Sequence, residues 1–491
     1  MTQICVSLTE ETTEGLLARM RELTPVADLF EIRGDLVLDL DLLTLLRAKP
    51  KPLLFTCRSE QEGGRWNDTE TRRRMNLLEA VKRGFDYVDV EYRSEFLDVM
   101  IEKSGNGLVV SYHDLEGMPD DLDGLYFRMC NKGADIVKIA VTPRGFADVA
   151  RLLQFAEETF RGGGKPLIAI AMGPLGILSR ILAGRYGAPF TFASVSAGTE
   201  SAPGQIPAAL MADLYRVREL GPATKLYGVL GSDVARSLSP FLHNRAFAAR
   251  HLDAVYVPLQ AEALAPFMEA LPSLGLSGFS VTRPYKTDIL PYLQEVEEAA
   301  ALCGSVNTVM VHDALLQGST TDGRGILSPL KKHIDPKGKN VVIVGAGGAA
   351  RAAALALQRK GARVTVLARD AGKARSVAAV VGCQHGPLSD LANRPWDVLI
   401  NATPLGSSAL LDQTPAPAEL LHPNGVVFDM VYDPLETRLL REAKAAGCKI
   451  VGGLEMLLAQ AVAQFETWTG LEAPLEVMKS VALLLAQAEE P

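Results

Sequence analysis

Cysteine is scarce in this chain: Cys5, Cys57, Cys130, Cys303, Cys383 and Cys448 are scattered over 491 residues. No two have the spacing of a metal site or a disulfide framework, which argues against a disulfide-stapled secreted domain and fits a reducing compartment. No metal is expected. Long apolar runs are also missing, since none reaches membrane-spanning length without a polar interruption, so no membrane partner is expected. Positive charge is in deficit, 50 Lys and Arg against 58 Asp and Glu, for a net charge of -8 and no basic arm. That balance disfavours a nucleic-acid partner and leaves room for local cationic pockets that take small anions. The strand-like QICVSLT begins at Gln3, so neither a secretion signal nor an organelle extension is expected, and the cytoplasm is the expected location.

What the chain does have is apolar residue in abundance, 48% of the whole, enough to fill more than one core. The fold class is α/β. From residue 1 to 220 the runs QICVSLT, DLFEIR, PLLFTCR, YVDVEY, LVVSYHD, ADIVKIAV, PLIAIAMG and FTFASV alternate with helical stretches. That cadence predicts a (β/α)8 TIM barrel with its chemistry at the carboxyl ends of the strands. A turn at Leu220-Gly221-Pro222 ends this half. A second α/β pattern fills 225–325, a strand–glycine turn–helix–strand unit of Rossmann type fills 326–450, and helices at 451–491 return to the 225–325 lobe.

Three residues of the barrel half carry the chemistry. Lys138 interrupts the apolar ADIVKIAV, where an ammonium is costly without a partner or a lowered proton affinity, and a neutral amine there attacks a ketone. His113 in SYHD follows an apolar strand and is placed to move a proton beside a carbonyl. Arg180 in MGPLGILSR offers two aligned donors to a carboxylate. Taken singly, each has a plainer reading: a strand-end charge, a satisfied core histidine, a solvated arginine. Together with Glu31 and Arg33 of EIR and Arg58 of TCRS they suit a ligand rich in oxygen.

In order, EIR, TCRS, SYHD, VKIAVTP, MGPLGILSR and SAPGQIP resemble type I 3-dehydroquinate dehydratase over almost all of residues 1–215. The resemblance implies that Lys138 forms an imine with 3-dehydroquinate, that His113 is general acid and base, and that Glu91 helps set the histidine environment. It further implies that Arg180 holds the substrate carboxylate. Glu31, Arg33, Arg58, Ser201 and Gln205 would contact substrate oxygens, and 3-dehydroshikimate would leave.

The second half carries VVIVGAGGAAR, where Gly345, Ala346, Gly347, Gly348 and Ala349 form a strand-to-helix turn that brings backbone donors up to a dinucleotide diphosphate. Arg369 stands where an acidic ribose partner marks NAD, and so favours NADP(H), although Asp370 beside it pulls the other way. Ser237 and Ser239 of SLSP offer hydroxyls to a carboxylate, Asp322 of TTDGRG offers an acceptor, and Lys286 of VTRPYK offers a proton. Helix caps, a turn residue and a solvent-facing charge are the plainer readings of the same side chains.

SLSPFLHN, SVTRPYK, GSVNTV, TTDGRG, GAGGAAR, NATPLG, FDMVYDP and GGLEMLLAQ, in that order, resemble shikimate dehydrogenase over residues 225–488. By this resemblance Lys286 and Asp322 form the catalytic pair, and Ser237, Ser239, Thr282, Asn307, Tyr432 and Gln460 bind shikimate. Asn401, Thr403, Met430 and Gly453 add cofactor-side contacts. Three positions depart from the family: Arg236 in place of histidine, Ser280 in place of asparagine, and Ala368 in place of the asparagine before the cofactor arginine. The first half's product would be the second half's substrate. A dehydrogenase specialised for quinate and a metabolite sensor without turnover are the alternatives, and monomer and homodimer both stay open.

Overall fold

The structure, a computed structural model, describes residues 1–488 except Asn106, Arg236 and Ala314. The departure at Arg236 therefore lies outside the described residues. The chain forms two compact units, Met1–Leu226 with Ser232–Arg236 and Asp253–Gly275, and Tyr227–Gly231 with Ser237–Leu252 and Leu276–Pro491.

The first unit is built on eight parallel strands, β1 (Gln3–Leu8), β2 (Leu29–Arg33), β3 (Leu53–Thr56), β4 (Tyr87–Glu91), β5 (Leu108–Asp114), β6 (Ile136–Val141), β7 (Leu167–Ala171) and β8 (Phe190–Ala193). Their order is β7-β6-β5-β4-β3-β2-β1-β8. This is the barrel order expected from the sequence. The ladder does not close, however, because no β7–β8 pairing is present among the described residues. At the end of β7 the Ala171 N–H goes instead to Ser179 Oγ at 3.0 Å.

Side chains two apart share a strand face. Along that face the strands run from apolar to polar toward their carboxyl ends: Cys5 to Ser7, Leu29 to Glu31 to Arg33, Tyr87 to Asp89 to Glu91, Val109 to Ser111 to His113, and Ile136 to Lys138. The apolar members form one buried cluster with Ile168, Phe190 and Phe192. Burying that floor is the hydrophobic driving force of the barrel, and it leaves the polar members gathered above it.

The second half contains two sheets. One, ordered β10-β9-β11-β13-β14-β12, uses β9 (Lys225–Gly231), β10 (Ala254–Gln260), β11 (Leu276–Val281), β12 (Glu295–Val296), β13 (Thr308–His312) and β14 (Leu315–Ser319), with β13 antiparallel to both neighbours. The other is wholly parallel: β15 (Asn340–Val344), β16 (Arg363–Ala368), β17 (Gln384–Pro387), β18 (Val398–Asn401), β19 (Val426–Asp429) and β20 (Lys449–Val451), ordered β17-β16-β15-β18-β19-β20. This is Rossmann order, with the switch point between β15 and β18. Ala350, Ala353 and Ala354 on the helix Gly348–Arg359 join the core of Val341, Ile343, Val364 and Val366. Their short side chains let the helix lie close to the sheet and fix its amino end at the β15 turn.

Candidate active sites

In the barrel, Lys138 Nζ lies 3.2 Å from Asp89 Oδ2 and 4.3 Å from the centre of the Phe192 ring. The other Asp89 oxygen, Oδ1, accepts from Arg58 NH2 and from Ser111 Oγ, at 2.7 and 2.6 Å. Burial works to raise the Asp89 carboxyl, but the Arg58 and Lys138 cations prevail and hold it at about 2. Asp89 thus anchors both the amine and Arg58, a role the sequence reading missed.

His113 Nδ1 lies 2.9 Å from Glu62 Oε2, and the His113 backbone N–H donates to the same oxygen at 3.2 Å. Glu91, expected to set the histidine environment, does not: it accepts instead from the Ser59 N–H and from Arg73 NH1, at 2.8 and 2.7 Å. Burial lifts the Glu62 carboxyl to about 7. Burial, then the nearby Arg58, Lys138 and Arg33 cations, push His113 well below its ordinary value, so the imidazole is neutral.

Glu31 accepts from Ser7 Oγ at 2.5 Å and Thr56 Oγ1 at 2.8 Å. Gln205 Nε2 donates to Ser7 Oγ at 3.3 Å, while Gln205 Oε1 accepts from the Ser201 N–H and hydroxyl at 2.8 and 3.2 Å. This chain of bonds ties the loop after β8 to the strand ends. Arg33 makes a two-pronged pair with Asp35, at 2.9 and 2.6 Å. Arg180 stands apart. It is 1% exposed, its NH2 donates to Pro203 O at 3.2 Å, and its Nε has no partner. Burial lowers it to about 10 against the opposing pull of Glu31. A buried cation with an idle donor is ready to receive an anion.

In the second half, four predicted residues meet at one carboxylate. Asp322, fully buried at the start of the helix Asp322–Leu330, accepts from Lys286 Nζ at 3.0 and 2.8 Å, from Asn307 Nδ2 at 2.7 Å and from Gln460 Nε2 at 2.9 Å. Gln460 arrives on the helix Gly453–Thr469. Asn307 Oδ1 accepts from the Thr321 N–H at 2.8 Å, which fixes its amide orientation. Ser280 is turned inward: its hydroxyl donates to Gln464 Oε1 at 3.0 Å, and Gln464 Nε2 donates to Asn307 O at 3.2 Å. The serine departure thus supports Asn307 from behind.

Ser237 and Ser239 open the helix Ser239–Ala249, where Ser237 Oγ accepts from the Ser239 N–H at 3.3 Å. Thr282 follows β11 and bonds through its N–H to Leu230 O at 2.9 Å. Tyr432, half-buried, follows β19. Among the described residues, none of these hydroxyls bonds to the Lys286–Asp322 cluster.

The dinucleotide turn fits a diphosphate. Gly345 has φ +125°, and a Cβ there would lie 2.6 Å from Ala402 O, so only glycine allows the turn. Gly347 caps the helix Gly348–Arg359 with no side-chain bond, leaving first-turn N–H groups open around Ala346, Gly348 and Ala349. Arg369 is exposed just past β16, and the departing Ala368 is the buried last residue of that strand. The Asp370 carboxylate accepts from the Gly372 and Lys373 N–H groups at 2.9 and 3.1 Å, so this acid is engaged as a helix cap. Asn401 is fully buried with both ends of its amide used, by Thr403 at 3.0 and 2.7 Å and on Asp429 Oδ1 at 2.9 Å. It shapes the loop carrying Thr403. Gly453 lies against the Met430–Val431 backbone, where a Cβ would be 2.4 Å from Val431 O.

Fold and sites together define a class: a lyase-type barrel with a buried amine, joined in one chain to a dinucleotide-dependent oxidoreductase. The type I 3-dehydroquinase family matches residues 4–222. The shikimate dehydrogenase substrate binding domain matches residues 229–309, shikimate / quinate 5-dehydrogenase 329–416, and the shikimate 5'-dehydrogenase C-terminal domain 453–483. The bifunctional 3-dehydroquinate dehydratase/shikimate dehydrogenase, chloroplastic, of Arabidopsis thaliana is 39% identical over 92% of this chain and 79% of its own length. The shikimate dehydrogenase (NADP(+)) of Pyrococcus abyssi is 41% identical over 53% of this chain and 97% of its own. The crystal structure of shikimate 5-dehydrogenase from Thermus thermophilus in complex with NADP(H) and shikimate covers 53% of this chain and 99% of that one, with 36% identity and a TM-score of 0.50. The chain belongs to the family of bifunctional 3-dehydroquinate dehydratase/shikimate dehydrogenases.

Proposed function

We propose that residues 1–220 dehydrate 3-dehydroquinate to 3-dehydroshikimate through an imine on Lys138, and that residues 225–491 reduce this product to shikimate with NADPH. The observation that carries the reading is Arg180, a buried guanidinium with an idle Nε that feels the charge of Glu31 and bonds to Pro203 O in the loop of Ser201 and Gln205. A substrate carboxylate satisfies that donor and sets the ring over Lys138. Once neutral, the amine adds to the ketone, and loss of water gives an iminium that acidifies the neighbouring carbon. His113, neutral and oriented by Glu62 at 2.9 Å, takes that proton and returns it to the departing hydroxyl. Water then hydrolyses the imine and frees Lys138. Glu31, Arg33, Arg58, Ser201 and Gln205 hold the remaining oxygens.

In the second site the bound dinucleotide supplies a hydride. The turn Gly345–Ala349 and Arg369 would hold it, with Thr403, Met430 and Gly453 on the nicotinamide side and Asn401 shaping that loop. Lys286 gives a proton to the substrate oxygen, Asp322 keeps Lys286 in place, and Asn307 and Gln460 hold Asp322 and a ring hydroxyl. Ser237 and Ser239 receive the carboxylate, with Thr282 and Tyr432 at the ring. The domain limits near 220, 325 and 450 belong to this reading. So does a cytosolic location, which the six free thiols support.

The test adds 3-dehydroquinate and NADPH to the full-length protein and follows products by chromatography, with borohydride trapping and peptide mass analysis. Expected are NADPH-dependent shikimate and an adduct on Lys138. 3-Dehydroshikimate alone would remove the second activity, and no conversion would leave a sensor.

A further inference from the structure

A groove of about 570 Å3 lies between the helices Asp322–Leu330 and Gly348–Arg359, with Ala299 and Cys303 of the helix Glu298–Cys303 also lining it. That volume is in the range of small-molecule sites. None of Lys286, Asn307, Asp322 and Gln460 lines it, so it is a different place from the site already described. Its floor is apolar, formed by Leu327, Ala352, Leu355 and Ala356. Its rim is cationic, with Arg324, Lys331, Arg359 and Lys360, and no carboxylate is among the lining residues. Arg324 and Arg359 are already paired, with Glu466 and Glu298, at 2.8 and 2.9 Å. Lys331 and Lys360 are exposed and make no ion pair among the described residues. Thr320 Oγ1, on a residue lining both this groove and a neighbouring cavity of about 330 Å3, is buried without a partner.

These features select one ligand chemistry. An apolar floor takes a hydrocarbon or aromatic body. Two unpaired ammonium groups beside that floor take an anionic head, and the lack of any lining carboxylate disfavours a zwitterion or a cation. We propose that this groove is an effector site for a small apolar monocarboxylate, acting on the second active site through the helix Asp322–Leu330. The helix is both a wall of the groove and the element that begins with Asp322. A body bound against Leu327 and Ala356 favours one setting of this helix against the helix Gly348–Arg359, and with it one setting of Asp322 relative to Lys286, the differential effect on two states that any effector requires.

The experiment uses full-length protein equilibrated with NADP+, shikimate and 3-dehydroshikimate, so that ligands of both active sites are present, and 4-(trifluoromethyl)benzoate as the probe, followed by fluorine NMR line width. The wild type should broaden the line. Lys331→Glu combined with Lys360→Glu should weaken binding by about tenfold or more, and Ser328→Trp, a change at an exposed lining residue, should abolish it. Saturating probe should lower kcat/KM for shikimate oxidation by at least about fivefold in the wild type and leave Ser328→Trp unchanged. No broadening, equal broadening in Ser328→Trp, or binding without a change in kcat/KM each overturns the proposal. The turnover readout rests on the dehydrogenase reading, whose own failure would show as no shikimate oxidation before any probe is added.

Discussion

Glu62 Oε2 and His113 Nδ1 face each other at 2.9 Å inside the mouth of the barrel, with Glu62 lifted to about 7 by burial. Ionised, Glu62 accepts the Nδ1–H and leaves the Nε2 lone pair free for the substrate proton. Protonated, it donates to Nδ1 and places the imidazole proton on Nε2, the wrong tautomer for a base. Dehydration should therefore fall as pH drops through about 7. Glu62→Gln, whose amide can donate to Nδ1 permanently, should lower kcat by about 100-fold and erase that limb. A variant that keeps both kcat and the limb would show that another group sets the tautomer.

Arg180 makes the opposite case, a residue whose value lies in binding and not in folding. Its buried guanidinium is short of partners in the free protein, and burial lowers it to about 10. Arg180→Met fills the same space with an uncharged chain. The KM for 3-dehydroquinate should rise by roughly 100-fold, the worth of a two-pronged charged contact, while Tm stays level or rises because no isolated cation remains to be buried. A fall in Tm with KM unchanged would assign Arg180 to the fold.

Much of this was legible in the sequence, for reasons particular residues make plain. Lys138 and Arg180 stand out because each puts charge into an apolar stretch, and glycines at 345 and 347 mark a turn that few other residues permit. Asp89 could have been read from YVDVE, where two carboxylates two apart share one face of a buried strand. Glu62 could not: it sits on the short turn Glu60–Glu62, and only the path of that loop decides that it, and not Glu91, reaches His113. Likewise Asp370 reads as a competitor for the ribose until its bonds to the Gly372 and Lys373 N–H groups are seen. Barrel closure also lay beyond pattern, since strand count says nothing of whether β7 and β8 pair.

The same cap separates two roles at the cofactor end. Arg369→Ser should raise the Kd of NADP+ by roughly 10- to 100-fold and leave that of NAD+ nearly unchanged, since the guanidinium is there for the 2'-phosphate. Asp370→Ala should cost about 1 kcal/mol of stability as a lost N-cap and leave the ratio of the two affinities alone. Both are read by calorimetric titration and thermal unfolding. A change of cofactor preference in Asp370→Ala would sink the division of labour.

Asp429 ends β19 with its oxygens taken by Asn401 Nδ2, the Val431 N–H and Thr437 Oγ1, at 2.9, 3.0 and 2.6 Å. Burial nonetheless raises it from 3.8 to about 6, so the folded chain holds this proton more tightly than the unfolded chain. Its contribution to stability is complete below about pH 4 and is lost as pH rises through about 6. Asparagine keeps an acceptor for the Asn401 and Val431 donors and turns its amide to the Thr437 oxygen, with nothing to titrate. Denaturant unfolding from pH 4 to 7 should show Asp429→Asn gaining on the wild type by an amount on the order of 3 kcal/mol across that window. Parallel curves would mean that the carboxylate keeps its charge in the fold, and that the loop bearing Thr403 and Tyr432 is held by an ion and not by a neutral acid.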